Sequence, residues 1–266
     1  MYWLALSNIA KGMIIGAAML IPGFSGGTTA IILDIYDKLV SAVASFFKNP
    51  KRNMMILSTV GIGGVLGIVL FSRVMLFITG FFRVPMLFLF TGAVLGSIPM
   101  LYKKAELTKF SFKAIIFPVL GAAFVMILGL LPKDMFEFGL CLGPTEYIIL
   151  FLSGIALSIA LILPGISFSY MLLVLGLYES TLLSIEQRQV SFLFVLAAGV
   201  LIGILLFTKL LEIAMNKYSQ ITYLMIIGFV LVSLREVFPG IPMGVELISS
   251  ILSFISGFGL IFVLSQ

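Results

Sequence analysis

Two short stretches of the chain carry residue types suited to holding an anion. Pro22-Gly23-Phe24-Ser25-Gly26-Gly27-Thr28-Thr29 lies in the first half, and Pro164-Gly165-Ile166-Ser167-Phe168-Ser169 in the second. In each, proline removes a helix amide and glycine permits a sharp reversal, so an apolar run should be cut into two short helices joined by a tight polar turn. The helix after such a turn begins with unpaired amides at the positive end of its dipole, which favours an anion. Ser25, Gly26, Gly27 and Thr28 add hydroxyls and closely approachable backbone, with Ser167 and Ser169 in the second turn. Together they make a small phosphate cradle without a fixed positive charge. Small residues at a turn also serve plain helix packing, and that reading stands beside the first.

The charged residues nearby fall into pairs. Asp37 and Glu179 each follow a tyrosine, Tyr36 and Tyr178, at the same distance beyond the two turns. Arg73 and Lys209 form a second pair at the ends of glycine-rich runs. Ionisable groups near a bilayer are functional candidates: these could meet a phosphate, pair with the acids or couple a proton or another cation. Interfacial anchoring by long stems is the competing role. Arg235 precedes Glu236, where a local ion pair is the simpler reading, and Asp34 has Gly176 as its mate. The chain has no His and one Cys, Cys141, so imidazole catalysis, an internal disulfide and a thiolate metal site are excluded. No cofactor or metal is implied.

The elements that must position these residues are membrane spans. Of 266 residues, 61% are hydrophobic and 10% charged, with mean hydropathy +1.26. A soluble domain carries about a quarter charged residues, so a water-soluble globular protein is excluded. The net charge of +5 sits in short clusters between apolar runs, the pattern of membrane-protein loops rather than of a nucleic-acid binder. Lys11 interrupts the first apolar stretch, which argues against a cleaved signal peptide. The Gly63-Gly64-x-x-Gly67 and Gly199-x-x-x-Gly203 patterns lie inside apolar runs and read as helix packing, not as nucleotide fingerprints.

Laying the halves on each other exposes a repeat. At an offset of 142, Gly12, Pro22, Gly23, Ser25, Tyr36 and Asp37 meet Gly154, Pro164, Gly165, Ser167, Tyr178 and Glu179. At an offset of 136, Gly63, Gly67 and Arg73 meet Gly199, Gly203 and Lys209, and Gly92 meets Gly228. The expected fold is an all-α polytopic membrane protein of two repeats. Residues 1–133 hold a broken, re-entrant hairpin at 5–47 and spans at 53–72, 84–102 and 114–132. Residues 134–266 hold a hairpin at 147–185 and spans at 189–208, 218–234 and 247–264. An odd number of crossings per half turns the second repeat upside down, the signature of a secondary transporter. With both termini cytoplasmic, eleven of the 16 basic residues fall inside. A rival in which each broken run crosses once is disfavoured, because about 35 residues at 1.5 Å each overshoot the hydrocarbon core.

These motifs resemble a bacterial family of polyprenyl-phosphate transporters. The resemblance rests on Lys11-Gly12 through Pro22-Gly23-Phe24-Ser25-Gly26-Gly27-Thr28, then Ile35-Tyr36-Asp37, Pro164-Gly165-Ile166-Ser167 and Gly203-Ile204-Leu205-Leu206-Phe207-Thr208-Lys209. It covers nearly the whole chain. It implies a flippase of the cytoplasmic membrane that returns undecaprenyl phosphate, the carrier lipid of cell-wall synthesis, to the inner leaflet. The phosphate would lie among Ser25, Gly26, Gly27, Thr28, Ser167 and Ser169, with Asp37, Glu179, Arg73, Lys209 and Arg235 around it. Phe168 and Asp34 stand where the family commonly has glycine. Undecaprenyl-pyrophosphate phosphatases are similar in their inverted repeats and Pro-Gly-x-Ser turn, but theirs continues with a phosphate-holding Arg where this chain has Gly26. That enzyme, and a carrier of another organic anion, are the alternatives.

Overall fold

The computed structural model describes residues 2–20, 25–107, 112–131, 143–166 and 168–264. Among them the secondary structure is helical: α1 (Tyr2–Ala18), α2 (Gly26–Ile32), α3 (Tyr36–Ala44), α4 (Pro50–Phe81), α5 (Arg83–Lys104) and α6 (Lys113–Leu128), followed by α7 (Pro144–Ile162), α8 (Phe168–Val174), α9 (Tyr178–Glu186), α10 (Val190–Lys217), α11 (Ser219–Val237) and α12 (Val245–Leu264). Among the described residues, five stretches are long and apolar enough to span a bilayer: Pro50–Met75, Arg83–Lys104, Pro144–Ile162, Val190–Lys217 and Glu246–Val263. Their outward residues, such as Val65, Val69, Leu201 and Leu206, are exposed and apolar, as a lipid-facing surface requires. The chain is a multi-pass membrane protein.

Two features differ from the sequence expectation. The helices α4 and α10 run well past residues 72 and 208, since Arg73 and Lys209 are good helix formers and no proline or cap stops them there. Each broken run also holds three helices rather than two. The second break closes with a six-to-one hydrogen bond, from Ile35 N to Ala30 O (2.9 Å) in one half and from Leu177 N to Leu172 O (2.8 Å) in the other. The residue before it is left-handed in both, Asp34 at φ 50° and Gly176 at φ 68°. This is the Schellman way of ending a helix.

Close backbone approach sets the packing. A Cβ on Gly63 would lie 2.2 Å from the Ile9 carbonyl oxygen, and one on Gly199 2.2 Å from that of Phe151; Gly67 and Gly203 press on Met13 and Ile155 in the same way. Residue numbers rise together along both contacts, so α1 runs parallel to α4 and α7 parallel to α10. The last helix of each half packs on the other half, α12 on α5 and α6 on α11. There Gly92 meets Phe254 and Gly228 meets Pro118, while Gly257 meets Leu89 and Gly121 meets Met225, each contact recurring at the offset of 136. Ser219 at the start of α11 donates to the Lys104 carbonyl (2.9 Å). The end of α5 and the α10–α11 junction therefore share one face of the molecule.

Gly61 and Gly63 separate packing from propensity on one helix. Gly63→Ala should destabilise by about 1–3 kcal/mol through overpacking, whereas Gly61, with nothing within 4 Å of its would-be Cβ, should tolerate alanine or gain from it. Thermal unfolding in detergent measures both; equal effects would contradict the close contact.

Candidate functional site

Ser25 starts the site. Its backbone is extended (φ −92°, ψ 136°) and its hydroxyl accepts from the Gly27 amide (3.2 Å), which makes it the N-cap of α2. The Ser25 carbonyl in turn accepts from the Thr29 amide (3.1 Å) and hydroxyl (3.2 Å). Thr28 is 2% exposed, and its hydroxyl oxygen is buried without a hydrogen-bond partner among the described residues. An unmet buried hydroxyl costs about 1–3 kcal/mol. At the other end of α2, Lys11 reaches across from α1 and donates to the Leu33 carbonyl (2.7 Å), a cation on a helix C-terminus.

The two broken runs meet. Gly27 lies against Pro164, with 3.5 Å between its would-be Cβ and the proline Cα. Tyr36 sends its hydroxyl to the carbonyl of Ile162 (2.8 Å), a helix-end acceptor that Pro164 and the following turn leave open. Gly165 has φ 83°, and a Cβ there would sit 2.1 Å from the Phe229 carbonyl oxygen, so both conformation and space require glycine. Beside this turn, Ile162 and Leu163 line an apolar cleft of about 330 Å³ with Phe124, Phe207, Met225 and Phe229.

Of the two paired acids, Asp37 is held by partners while Glu179 has no ion pair among the described residues. Lys104 Nζ lies 2.6 Å from Asp34 Oδ1 and 2.6 Å from Asp37 Oδ2, and the Tyr223 hydroxyl donates to the same Asp37 oxygen at 3.0 Å. One turn further along α3, Ser41 donates to Glu212 on α10 (2.9 Å). Sequence spacing gave no hint of Lys104 or Tyr223, because they lie 67 and 186 residues from Asp37. The sole clue was Asp34 itself, an acid at the place of a glycine.

The other site residues stand apart from this assembly. Arg73, Lys209, Arg235 and Glu179 are exposed and make no ion pair among the described residues. Pro22, Gly23 and Ser167 lie outside the described residues, as does the side chain of Ser169.

Residues 15–250 match the undecaprenyl phosphate translocase-like family. The chain belongs to that family. Its relatives include a polyprenyl-phosphate transporter of Staphylococcus aureus, 31% identical over 264 residues that cover 94% of this chain and 93% of that protein. Another, the polyprenyl-phosphate transporter of Vibrio cholerae, is 30% identical over 251 residues, covering 88% and 78%. No solved structure matches. The family match spans both Pro-Gly turns and the helices that carry the Lys104 cluster.

Asp34 joins backbone and charge, and substitution separates them. Asp34→Gly should fold as well as the parent, because glycine suits φ 50°. Asp34→Ala should be less stable than Asp34→Gly by about 1 kcal/mol. Unfolding midpoints of the two variants compare them directly.

Proposed function

We propose that the protein moves undecaprenyl phosphate across the bacterial cytoplasmic membrane, returning the carrier lipid of cell-wall synthesis from outer to inner leaflet. Thr28 carries the reading: among the described residues its buried hydroxyl has no partner, in the first turn of α2, where the Ser25 hydroxyl already holds the Gly27 amide. A phosphate oxygen would meet that hydroxyl and the Gly26 amide, and would take the Gly27 amide by displacing the Ser25 hydroxyl from it. Ser167 and Ser169 complete the cradle from the second turn, which the contact of Gly27 with Pro164 supports. The family and the names of both relatives support the polyprenyl phosphate as cargo.

The parallel packing of α1 on α4 supports a first hairpin that dips in and returns to the side where it began. The three spans that follow then deliver α7 to the opposite side, and the two repeats, 1–133 and 134–266, are inverted. The contact of Lys104 with Ser219 supports the same orientation, as does the parallel run of α5 and α12, where Gly92 meets Phe254 and Gly96 meets Phe258. Both termini lie in the cytoplasm, on the face rich in Lys and Arg. Arg73, Lys209 and Arg235, exposed and without an ion pair among the described residues, guide the headgroup, and the apolar cleft beside Pro164 gives the first isoprene units a path while the rest of the tail stays in lipid. Glu179 or Asp37 accepts the coupling cation. The protein acts as a carrier and not as a phosphatase, since Gly26 replaces the arginine that would hold a cleaving phosphate.

Proteoliposomes with labelled undecaprenyl phosphate test this directly. Protein-dependent translocation is expected; phosphate release from the pyrophosphate form without translocation would establish the enzyme instead. Thr28→Val should lower lipid-phosphate binding severalfold and leave the fold intact or firmer by up to about 1 kcal/mol. Ser25→Ala with Thr28→Val should weaken binding further at unchanged folded yield. Undiminished binding in both variants would remove the cradle.

A further inference from the structure

The apolar cleft of about 330 Å³ lies between α6 and α10, with the end of α7 and the first half of α11 behind it. Its two flanking helices pack mainly on other partners, α6 on α11 and α10 on α7, which leaves the space between the pairs. Phe124 on α6 and Leu210 on α10 line it and are 41% and 62% exposed, so it opens sideways toward lipid. Its inner end is formed by Ile162 and Leu163, directly before Pro164, and by Phe229, whose carbonyl faces Gly165. Pro164 is also the residue against which Gly27 of the cradle lies. A group held at the cradle therefore has the cleft beside it, and the cleft leads to the bilayer. Among the described residues the lining is apolar apart from Thr222, whose hydroxyl donates to the helix carbonyls of Ala214 and Tyr218 (both 3.0 Å).

The repeat shows what keeps the cleft open. At the offset of 136, Leu211, Ala214, Thr222 and Ile226 have Met75, Ile78, Met86 and Phe90 as their mates. There Met75, Ile78 and Phe90 pack against Met86 and Leu87, the mate of Tyr223, in one cluster. Larger side chains fill the place where Ala214 and Thr222 leave room. We infer that the cleft between α6 and α10 is a lateral portal for the single polyprenyl chain of the cargo, with Ala214 and Thr222 as its specificity-determining residues. The portal rests on the carrier-lipid reading, which puts the phosphate at the cradle. Its occupant follows from its walls and its position. Apolar walls accept hydrocarbon and offer a hydrated solute nothing in exchange for its water. A chain joined directly to its phosphate enters at its first carbons, because the cleft begins beside the turn. A diacyl lipid brings glycerol esters and two chains to that point, and the one cleft there seats a single chain. Phe124 and Phe229, with ring centres 6.0 Å apart, offer ring faces to flat alkene units. From Thr222 to Phe229 the α11 wall is about 10 Å long, so the cleft holds the first isoprene units and the remaining chain lies in the bilayer.

Ala214→Ile with Thr222→Met gives the second half the residues of the first. Binding of farnesyl phosphate, dioleoyl phosphatidate and inorganic phosphate is measured on the detergent-solubilised parent and variant. The parent should bind farnesyl phosphate about tenfold more tightly than phosphatidate. The variant should bind farnesyl phosphate about tenfold more weakly than the parent, as loss of burial for a few methylenes predicts. Inorganic phosphate, which has no chain, should bind both alike. Unchanged farnesyl phosphate binding in the variant, or equal binding of phosphatidate by the parent, overturns the portal. Filling the cleft also stresses the fold, so a second arm uses the parent alone. Farnesyl phosphate with a diazirine on its last isoprene unit is irradiated in proteoliposomes; crosslinks are expected on α6, α10 and α11 beside the cleft, and crosslinks confined to other helices overturn it. A parent that binds no polyprenyl phosphate sinks the cargo assignment and the portal together. A parent that binds farnesyl phosphate no better than inorganic phosphate, yet translocates the carrier lipid, sinks the portal alone.

Discussion

A helix interrupted inside an apolar slab leaves amides and carbonyls that only protein can satisfy, because no water is there to take them. Much of this structure answers that constraint. Ser25 turns its hydroxyl onto an amide at the start of α2, Lys11 meets a carbonyl at its end, and Tyr36 crosses between the halves to reach the carbonyl of Ile162. The start of α2 is thus closed locally, while its end and the end of α7 are closed by residues from other helices. That requirement forces the two broken runs together, and it brings Gly27 against Pro164. What is left over after the closures are made includes, among the described residues, the hydroxyl of Thr28.

The same economy governs the long helices. Apolar side chains gain little by facing one another when lipid is equally apolar, so the helices associate where small residues let backbones touch. The contacts of Gly63 with Ile9 and of Gly199 with Phe151 are such places, and they leave the larger side chains to face lipid. Rigid helix pairs result. Motion must therefore be sought at the short helices between them, which are held by polar ties instead of interlocked backbone.

The sequence made the broken runs, the spans and the glycine pairs readable, because each has a local physical cause: proline at a break, apolar length, small residues at helical spacing. Helix ends were less legible. The continuation of α4 past Arg73 and of α10 past Lys209 depends on the absence of a stop signal, which a charge seems to supply but does not. The third helix of each broken run escaped because Asp34 hides a left-handed position that Gly176 shows openly. The cluster around Lys104 was beyond reach, since it forms between residues brought together only when α5 and α11 stand side by side. Symmetry reasoning even pointed away from it, by favouring residues that occur twice.

The exchange of last helices, α6 onto α11 and α12 onto α5, has a meaning for origin and assembly. Either half taken alone would keep a groove shaped for a helix it does not own and would offer a helix with nowhere to lie. A single-copy ancestor could bury both only by clasping a second copy, each lending the other its final helix. Fusion of the two genes would have made that clasp permanent and freed the copies to diverge, which is the condition under which one corner could acquire Asp34, Lys104 and Tyr223 while its twin kept glycines and a leucine.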